Sequence, residues 1–311
     1  MNVSFAPHIR GKLNTQRIML DVIIALCPAI VLAIVIFGPR AALITGVCVV
    51  SCVLFEWGYQ KLLKRANTVK DLSAVITGIL LAFNLPVGIP VWQAIFGSFA
   101  AIIFVKMLFG GIGKNFANPA VTARIIMFLA FSTSMTDWST LTPDAVAGAT
   151  PLALMARGET DLLPGLLDMI IGTRGGCLGE TSAVALLIGG IYLLIRRVIT
   201  WHAPVAFIGT VFVLSAIFGE LPVYHLFAGG LFLGAIFMAT DYATTPQTKT
   251  GRLIFGAGAG LFTVLIRLYG SYPEGVSFAI LLMNIAVPYI NKITMRKALG
   301  AKKAEKEVAA K

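Results

Sequence analysis

Apolar runs long enough to cross a bilayer recur from Ile18 almost to Ile290, and no other feature limits the fold of this chain so strongly. Roughly 20 apolar residues span the hydrocarbon core as a helix. Segments of this kind lie at Ile18 to Phe37, Ala41 to Tyr59, Leu72 to Leu85, Val91 to Phe109, Ala120 to Met135, Ser182 to Ile199, Ala203 to Phe218, Val223 to Ala239, Leu253 to Tyr269 and Val276 to Ile290. The gaps between them are too short to build a separate water-soluble core. The expected fold class is therefore an all-α polytopic membrane protein with about ten transmembrane helices. A hydrophobic share of 58% against 13% charged residues is well beyond what a soluble domain of this length needs.

Charge fixes the expected orientation. Short loops rich in Lys and Arg stay on the cytoplasmic side. With the N-terminus inside, 21 of the 25 Lys and Arg fall on that side, leaving Arg40, Arg157, Arg174 and Arg267 at or near the outer face. An even number of spans returns the C-terminus to the cytoplasm. The expected organisation is a cytoplasmic tail over residues 1–17, a transmembrane domain over 18–291 with a large external loop at 136–181, and a basic cytoplasmic tail over 292–311. Arg10, Lys12 and Arg17 precede a run without a small-residue cleavage pattern, so the first span is not expected to be a secretory signal. The formal charge of +11 is distributed between the apolar segments rather than on one polar face, which argues against nucleic acid as a partner.

Two spans are expected to be broken or half-length, because Asn84-Leu85-Pro86 stops one early and Asn118-Pro119 opens another late. Interrupted helices at membrane depth need protein or a water-lined cavity around them. Ser73-Ala74-Val75 echoes Ser182-Ala183-Val184, and Pro119 to Arg124 echoes Pro246 to Arg252, the trace of a five-plus-five duplication. An odd number of spans per repeat would make it inverted.

Soluble-enzyme chemistry lacks its groups. His8, His202 and His225 are isolated, there is no HExxH, CxxC or P-loop, and no residue is assigned a catalytic or metal-ligating role. Cys27, Cys48 and Cys52 read as small buried hydrophobes, although the i,i+4 spacing of Cys48 and Cys52 leaves a metal or cluster contribution open. Cys177 lies in a polar loop without an obvious partner.

Three polar stretches stand out. The first is Gly110-Gly111-Ile112-Gly113-Lys114-Asn115-Phe116-Ala117-Asn118-Pro119-Ala120, in which the glycines permit an irregular backbone before a Pro-initiated helix. The second is Ala239-Thr240-Asp241-Tyr242-Ala243-Thr244-Thr245-Pro246, and the third is Gly175-Gly176-Cys177-Leu178-Gly179-Glu180-Thr181-Ser182. Taken singly, each fits an ordinary polar turn. Together, and in this order, they resemble the RnfD/NqrB family, which contains the RnfD membrane component of the Rnf ion-translocating oxidoreductase and the NqrB component of the sodium-pumping NADH:quinone reductase. The resemblance covers nearly the whole chain, whose modest length is more similar to the Rnf branch.

What the resemblance implies is specific. A threonine in a short Gly-x-Thr-Ser context carries FMN through a phosphoester, and the matching residue is Thr181, with Ser182 as fallback acceptor and Gly179 and Glu180 beside it. Asn118 and Asp241 are the matching polar residues of the other two stretches. The implied partners are the other subunits of an Rnf-type complex in a bacterial plasma membrane, including iron-sulfur and FMN-bearing ones, with ferredoxin and NAD as overall substrates and Na+ or H+ as the translocated ion. A noncovalent riboflavin in the membrane domain belongs to the same expectation. Local physics agrees, since a phosphoryl group at the start of a helix meets free N–H groups, and Gly175, Gly176 and Gly179 would leave room for the ring. Glu180 would repel the phosphate unless it pointed away or met Arg174.

Asp21, Glu56, Lys106, Arg124, Asp241 and Arg267 are ionisable residues in or beside apolar runs, which makes them functional candidates. The competing expectation is that Asp21, Lys106 and Arg124 snorkel from cytoplasmic helix ends and that Glu56, next to Trp57 and Tyr59, is interfacial. A second functional class also fits the broken helices and the small-residue spacings Gly230-xxx-Gly234 and Gly256-xxx-Gly260, namely a small-solute channel or secondary transporter without a redox cofactor.

Overall fold

The computed structural model describes residues 14–137, 150–172, 176–180, 182–270 and 274–295. Thr181, Arg174 and Gly175 lie outside the described residues, as do most of the two expected tails and part of the expected external loop. The described residues form helices and turns without strands. Ten principal helical segments follow one another: α1 (Thr15–Phe37), α2 (Pro39–Leu62), α3 (Ser73–Phe83), α4 (Val91–Phe99, continuing as a π-helix through Ala100–Met107), α5 (Pro119–Ala130), α6 (Ala183–Ile195), α7 (His202–Ile217), α8 (Leu231–Leu233, continuing as a π-helix through Gly234–Met238), α9 (Lys249–Tyr269) and α10 (Val276–Thr294). Four of these, α1, α2, α9 and α10, are long and apolar enough to cross a membrane, and α3, α4, α5, α6 and α7 are shorter apolar helices.

Local chemistry sets the helix starts. The Asn14 carboxamide oxygen accepts from the Gln16 N–H, the Asn118 oxygen from the N–H groups of Ala120 and Val121, the Ser182 hydroxyl from Ala185 and the Thr248 hydroxyl from Gly251. Each satisfies amides that a helix cannot pair internally. The Asn84-Leu85-Pro86 stop acts as expected, ending α3 after eleven residues.

One expected span is not continuous. Instead of running from Val223 to Ala239, the chain forms a short helix, Pro222–Phe227, breaks at Ala228, and restarts at Leu231. Gly229 turns the chain with φ +67°. The buried Arg267 guanidinium donates to the carbonyls of His225 at 2.6 Å and Ala228 at 3.0 Å, satisfying acceptors that the break would otherwise orphan. The span from Ala120 is likewise interrupted at Phe131 before a further turn at Ser132–Met135.

Helices approach closely where glycines face backbone. A Cβ on Gly189 of α6 would collide with the Ala25 carbonyl oxygen of α1, and one on Gly256 of α9 would lie 2.5 Å from that of Ala203 on α7. Such contacts bring helices together by van der Waals packing. The bundle has two ends of different composition. One, called inner after the expected orientation, gathers Ser73, Met107, Pro119, Ile199 and Asp241; the other gathers Leu85, Glu180, Glu220 and Glu274. Thirteen residues of α6 separate them, about 20 Å of helix rise.

Candidate functional site

At the outer end, the third polar stretch folds into a tight turn, Leu178–Glu180, that docks on the stop of α3. The Leu178 N–H donates to the Leu85 carbonyl at 3.1 Å. Gly179 sits where a Cβ would come within 2.5 Å of the Phe83 Cβ and 2.9 Å of the Phe83 oxygen, so only glycine lets the two backbones meet. At Gly176 the space is taken by the Glu180 carboxylate, 2.8 Å from where a Cβ would be. These two glycines therefore serve close packing, and the expected room for a cofactor ring is not at their positions.

The Glu180 carboxylate is turned into the protein. It is buried and meets Arg124 of α5 at 3.7 Å, while the expected partner Arg174 lies outside the described residues. Arg124 also pairs with Glu274 from the turn before α10 and donates to the Asn84 carboxamide oxygen at 2.8 Å and to Cys177 Sγ at 3.5 Å. At 5% exposure Arg124 does not snorkel. It is the central cation that joins α3, α5, the Gly-Glu turn and the Glu274 turn. Burying so many charges is tolerable only because they are paired. Cys177, Glu180 and Glu274 place potential ligand atoms within 4.8 Å of one another, but the guanidinium already stands among them. Ser182 is buried and its hydroxyl accepts from the Ala185 N–H at 3.3 Å, which fits a helix cap better than a cofactor acceptor.

At the inner end, the other two polar stretches meet around a cavity of about 810 Å³, measured with its open mouth. Gly110, Gly111 and Gly113 all have positive φ, which lets the first stretch curl beneath the cavity. Asn118 joins the two stretches. While its oxygen caps α5, its Nδ2 donates to the Met238 carbonyl at 3.4 Å, and the Asn284 amide of α10 bridges the Asn118 N–H and the Thr244 carbonyl. Asp241 holds its own turn, with its carboxylate accepting from the Ala243 N–H at 3.4 Å and the Thr244 hydroxyl at 3.1 Å. Burial pushes the Asp241 carboxyl above the usual carboxylate range. Apolar lining comes from Ile18, Val22, Ile76, Leu80, Leu193, Ile199 and Phe237.

Two residues that look marginal in the sequence belong to this end. Lys106, in the π-helical turn of α4, and Glu56 of α2 form an ion pair at 2.5 Å, with exposures of 2% and 0%. Neither snorkels nor lies at an interface. Lys106 also donates to the Ser73 hydroxyl at 2.6 Å and lines the cavity. No local pattern could reveal the pair, because its members are fifty positions apart. Asp21 pairs instead with Arg196 and Tyr192 at the α1–α6 contact, a tie away from the cavity. Cys48 and Cys52 are free, buried side chains inside the packing of α2.

The inner and outer sites share one contact region. Asn84 Nδ2 lies 3.9 Å from Met238 Sδ, while Asn118 reaches the same residue's carbonyl from below. The end of α3 and the end of α8 thus meet at one methionine.

The family model described as NQR2, RnfD, RnfE matches residues 2–300. Among similar proteins, the D subunit of the Na(+)-translocating ferredoxin:NAD(+) oxidoreductase complex of Acetobacterium woodii is 47% identical, over 100% of this chain and 98% of that protein. The D subunit of the proton-translocating ferredoxin:NAD(+) oxidoreductase complex of Clostridium ljungdahlii is 41% identical, over 97% and 96%. The D subunit of an ion-translocating oxidoreductase complex of Stutzerimonas stutzeri is 36% identical, over 92% of each chain. Over nearly its entire length, this chain belongs to the NQR2, RnfD, RnfE family.

Proposed function

We propose that this chain is the flavin-carrying membrane subunit of an ion-translocating ferredoxin:NAD oxidoreductase complex, with ten spans, both termini in the cytoplasm of a bacterial cell, and the Gly-Glu-Thr-Ser turn outside. Its full-length relatives are the D subunits of such complexes, one named for Na+ and one for protons. Thr181 carries FMN through a phosphoester to its hydroxyl. The observation that supports this most directly is the inward rotation of Glu180 onto Arg124. It removes from the attachment point the carboxylate that would repel a phosphate, and it neutralises that carboxylate. With Ser182 engaged in capping α6, the phosphoester is assigned to Thr181.

The inner cavity suits a noncovalent riboflavin. Its mostly apolar lining suits a flat aromatic ring, and two polar groups are left incomplete. The Asn115 carboxamide oxygen is buried without a hydrogen-bond partner among the described residues, and Lys106 has used two of its three N–H donors. A pyrimidine-like edge bears both a donor and acceptors and would satisfy both. Bound flavin supplies one- and two-electron carriage; the protein positions the ring and sets the charge around it. The iron-sulfur and FMN subunits of the complex supply and receive the electrons. Each half of the chain places a π-helical stretch directly before its polar turn, which supports the five-plus-five duplication.

The test uses the complex produced in cells that contain the flavin-attaching transferase. Expected is a fluorescent band for this subunit on a denaturing gel and a flavin-phosphate mass increment on the peptide containing Thr181, both lost in Thr181→Ala. An unmodified peptide from an active, assembled complex would sink the assignment, and a dark, solute-conducting subunit would support a transporter instead.

A further inference from the structure

We infer that Lys106 and Glu56 couple electron arrival in the inner cavity to proton uptake from the inner aqueous side, Lys106 meeting the occupant and Glu56 and Thr68 returning the proton. This rests on the reading of that cavity as a flavin site. Two features of the geometry support it.

The first is an unfinished ammonium. Lys106 is buried, gives one donor to Glu56 Oε2 and one to Ser73 Oγ, and has no acceptor for its third among the described residues. It stands in the cavity wall, so the remaining N–H is available to an occupant. Leaving a buried charged donor unpaired is costly, which favours a ligand bearing an acceptor there. The π-helical turn that carries Lys106 is a device that recurs at functional sites.

The second is a route to water. Glu56 Oε1 accepts from the Thr68 hydroxyl at 3.0 Å and from Gln60 Nε2 at 3.3 Å, and Gln60 Nε2 in turn donates to Thr68 at 2.7 Å. Thr68 is exposed. Two hydrogen-bonded steps therefore connect the cavity wall with the surface.

Charge balance says why the route is needed. Facing Lys106 are Glu56 and Cys52 on α2, Asp71 through the Ser73 hydroxyl at 2.5 Å, and Asp241 from the turn after α8. One cation against three carboxyl groups makes an uncompensated extra electron unfavourable in a low-dielectric site. Each electron delivered singly by a reduced iron-sulfur donor is accompanied by one proton. Lys106 passes an N–H proton to a ring nitrogen, and water at Thr68 restores it through Glu56. Two electrons and two protons complete the reduction, and the pair ends in its starting charge state.

The experiment is a spectroelectrochemical titration of the purified whole complex at several pH values, taking the component lost when noncovalent flavin is extracted. The wild-type potential should become more negative as pH rises, with one proton per electron. Lys106→Arg keeps the positive charge but cannot release a proton; it should retain flavin and lose at least half of that slope. Should arginine not fit, the paired Glu56→Gln, Lys106→Met variant removes both members of the ion pair at once and should give the same loss. A pH-independent wild-type potential, or a variant that binds flavin with the full slope, overturns the coupling. If the wild-type complex yields no acid-extractable flavin, the cavity reading itself fails and takes this inference with it, an outcome recognisable from the extract alone.

Discussion

The two ends of this molecule hold their polar groups in opposite ways. At the outer end Arg124 draws two carboxylates, a carboxamide and a thiol into one packed knot, and Gly179 leaves no space even for a methyl group. At the inner end the polar stretches stand apart around an open cavity, and the Asn115 oxygen has no partner among the described residues. The difference matches the two modes of cofactor retention proposed above. A cofactor held by a covalent bond needs an anchored backbone but no enclosing pocket, whereas one held by contacts needs walls and unfilled hydrogen bonds.

Four substitutions test the contrast, taken from the largest expected effect to the smallest. Arg124→Met removes the cation shared by the buried Glu180 and the half-buried Glu274 and should cost about 3–5 kcal/mol. The measurement is the amount of assembled complex in membranes and its thermal stability in detergent; a variant as stable as wild type would show that the knot is not electrostatically closed. Gly179→Ala forces a methyl group against Phe83 and should cost about 1–3 kcal/mol, read as a lowered melting temperature. Thr240→Trp projects bulk into the inner cavity and should lower acid-extractable riboflavin at least tenfold, a loss of about 1.4 kcal/mol in binding. In the same sample the covalent fluorescence on a denaturing gel should persist. Loss of both signals together would mean that the two ends are not independent. Ser182→Ala removes one helix cap, with an expected cost of about 1 kcal/mol and unchanged covalent flavin, which separates its role from that of Thr181.

Much of the architecture is legible in the sequence because it depends on local pattern. Apart from the runs broken at Ala228 and Phe131, each apolar run falls on one continuous helix, and Asn84-Leu85-Pro86 and Asn118-Pro119 bound α3 and α5 as their chemistry dictates. The break at Ala228 is not legible, because its compensating donor, Arg267, comes from a later helix. Lys106, Glu56 and Arg124 look, in sequence, like residues that could reach water from a helix end. Whether such a side chain snorkels or pairs depends on partners far away along the chain, as Arg124 and Glu274 illustrate. The direction of Glu180 is undecided in sequence for the same reason. The π-helical turns leave no trace there, since widening the hydrogen-bonded ring does not change which residues are apolar.

The wide turn before Lys106 has an evolutionary corollary. Between Ala100 and Met107 the backbone bonds skip one residue more than in an α-helix, so the segment accommodates a residue that regular winding would expel. Deleting a single amino acid within this stretch would be absorbed by tightening the coil, which keeps the flanking helical segments in register but turns the residues inside it, Lys106 among them, by about 100°. Length in this short stretch is therefore heritable information: in homologous chains, a one-residue gap here should accompany replacement of the lysine or of its glutamate.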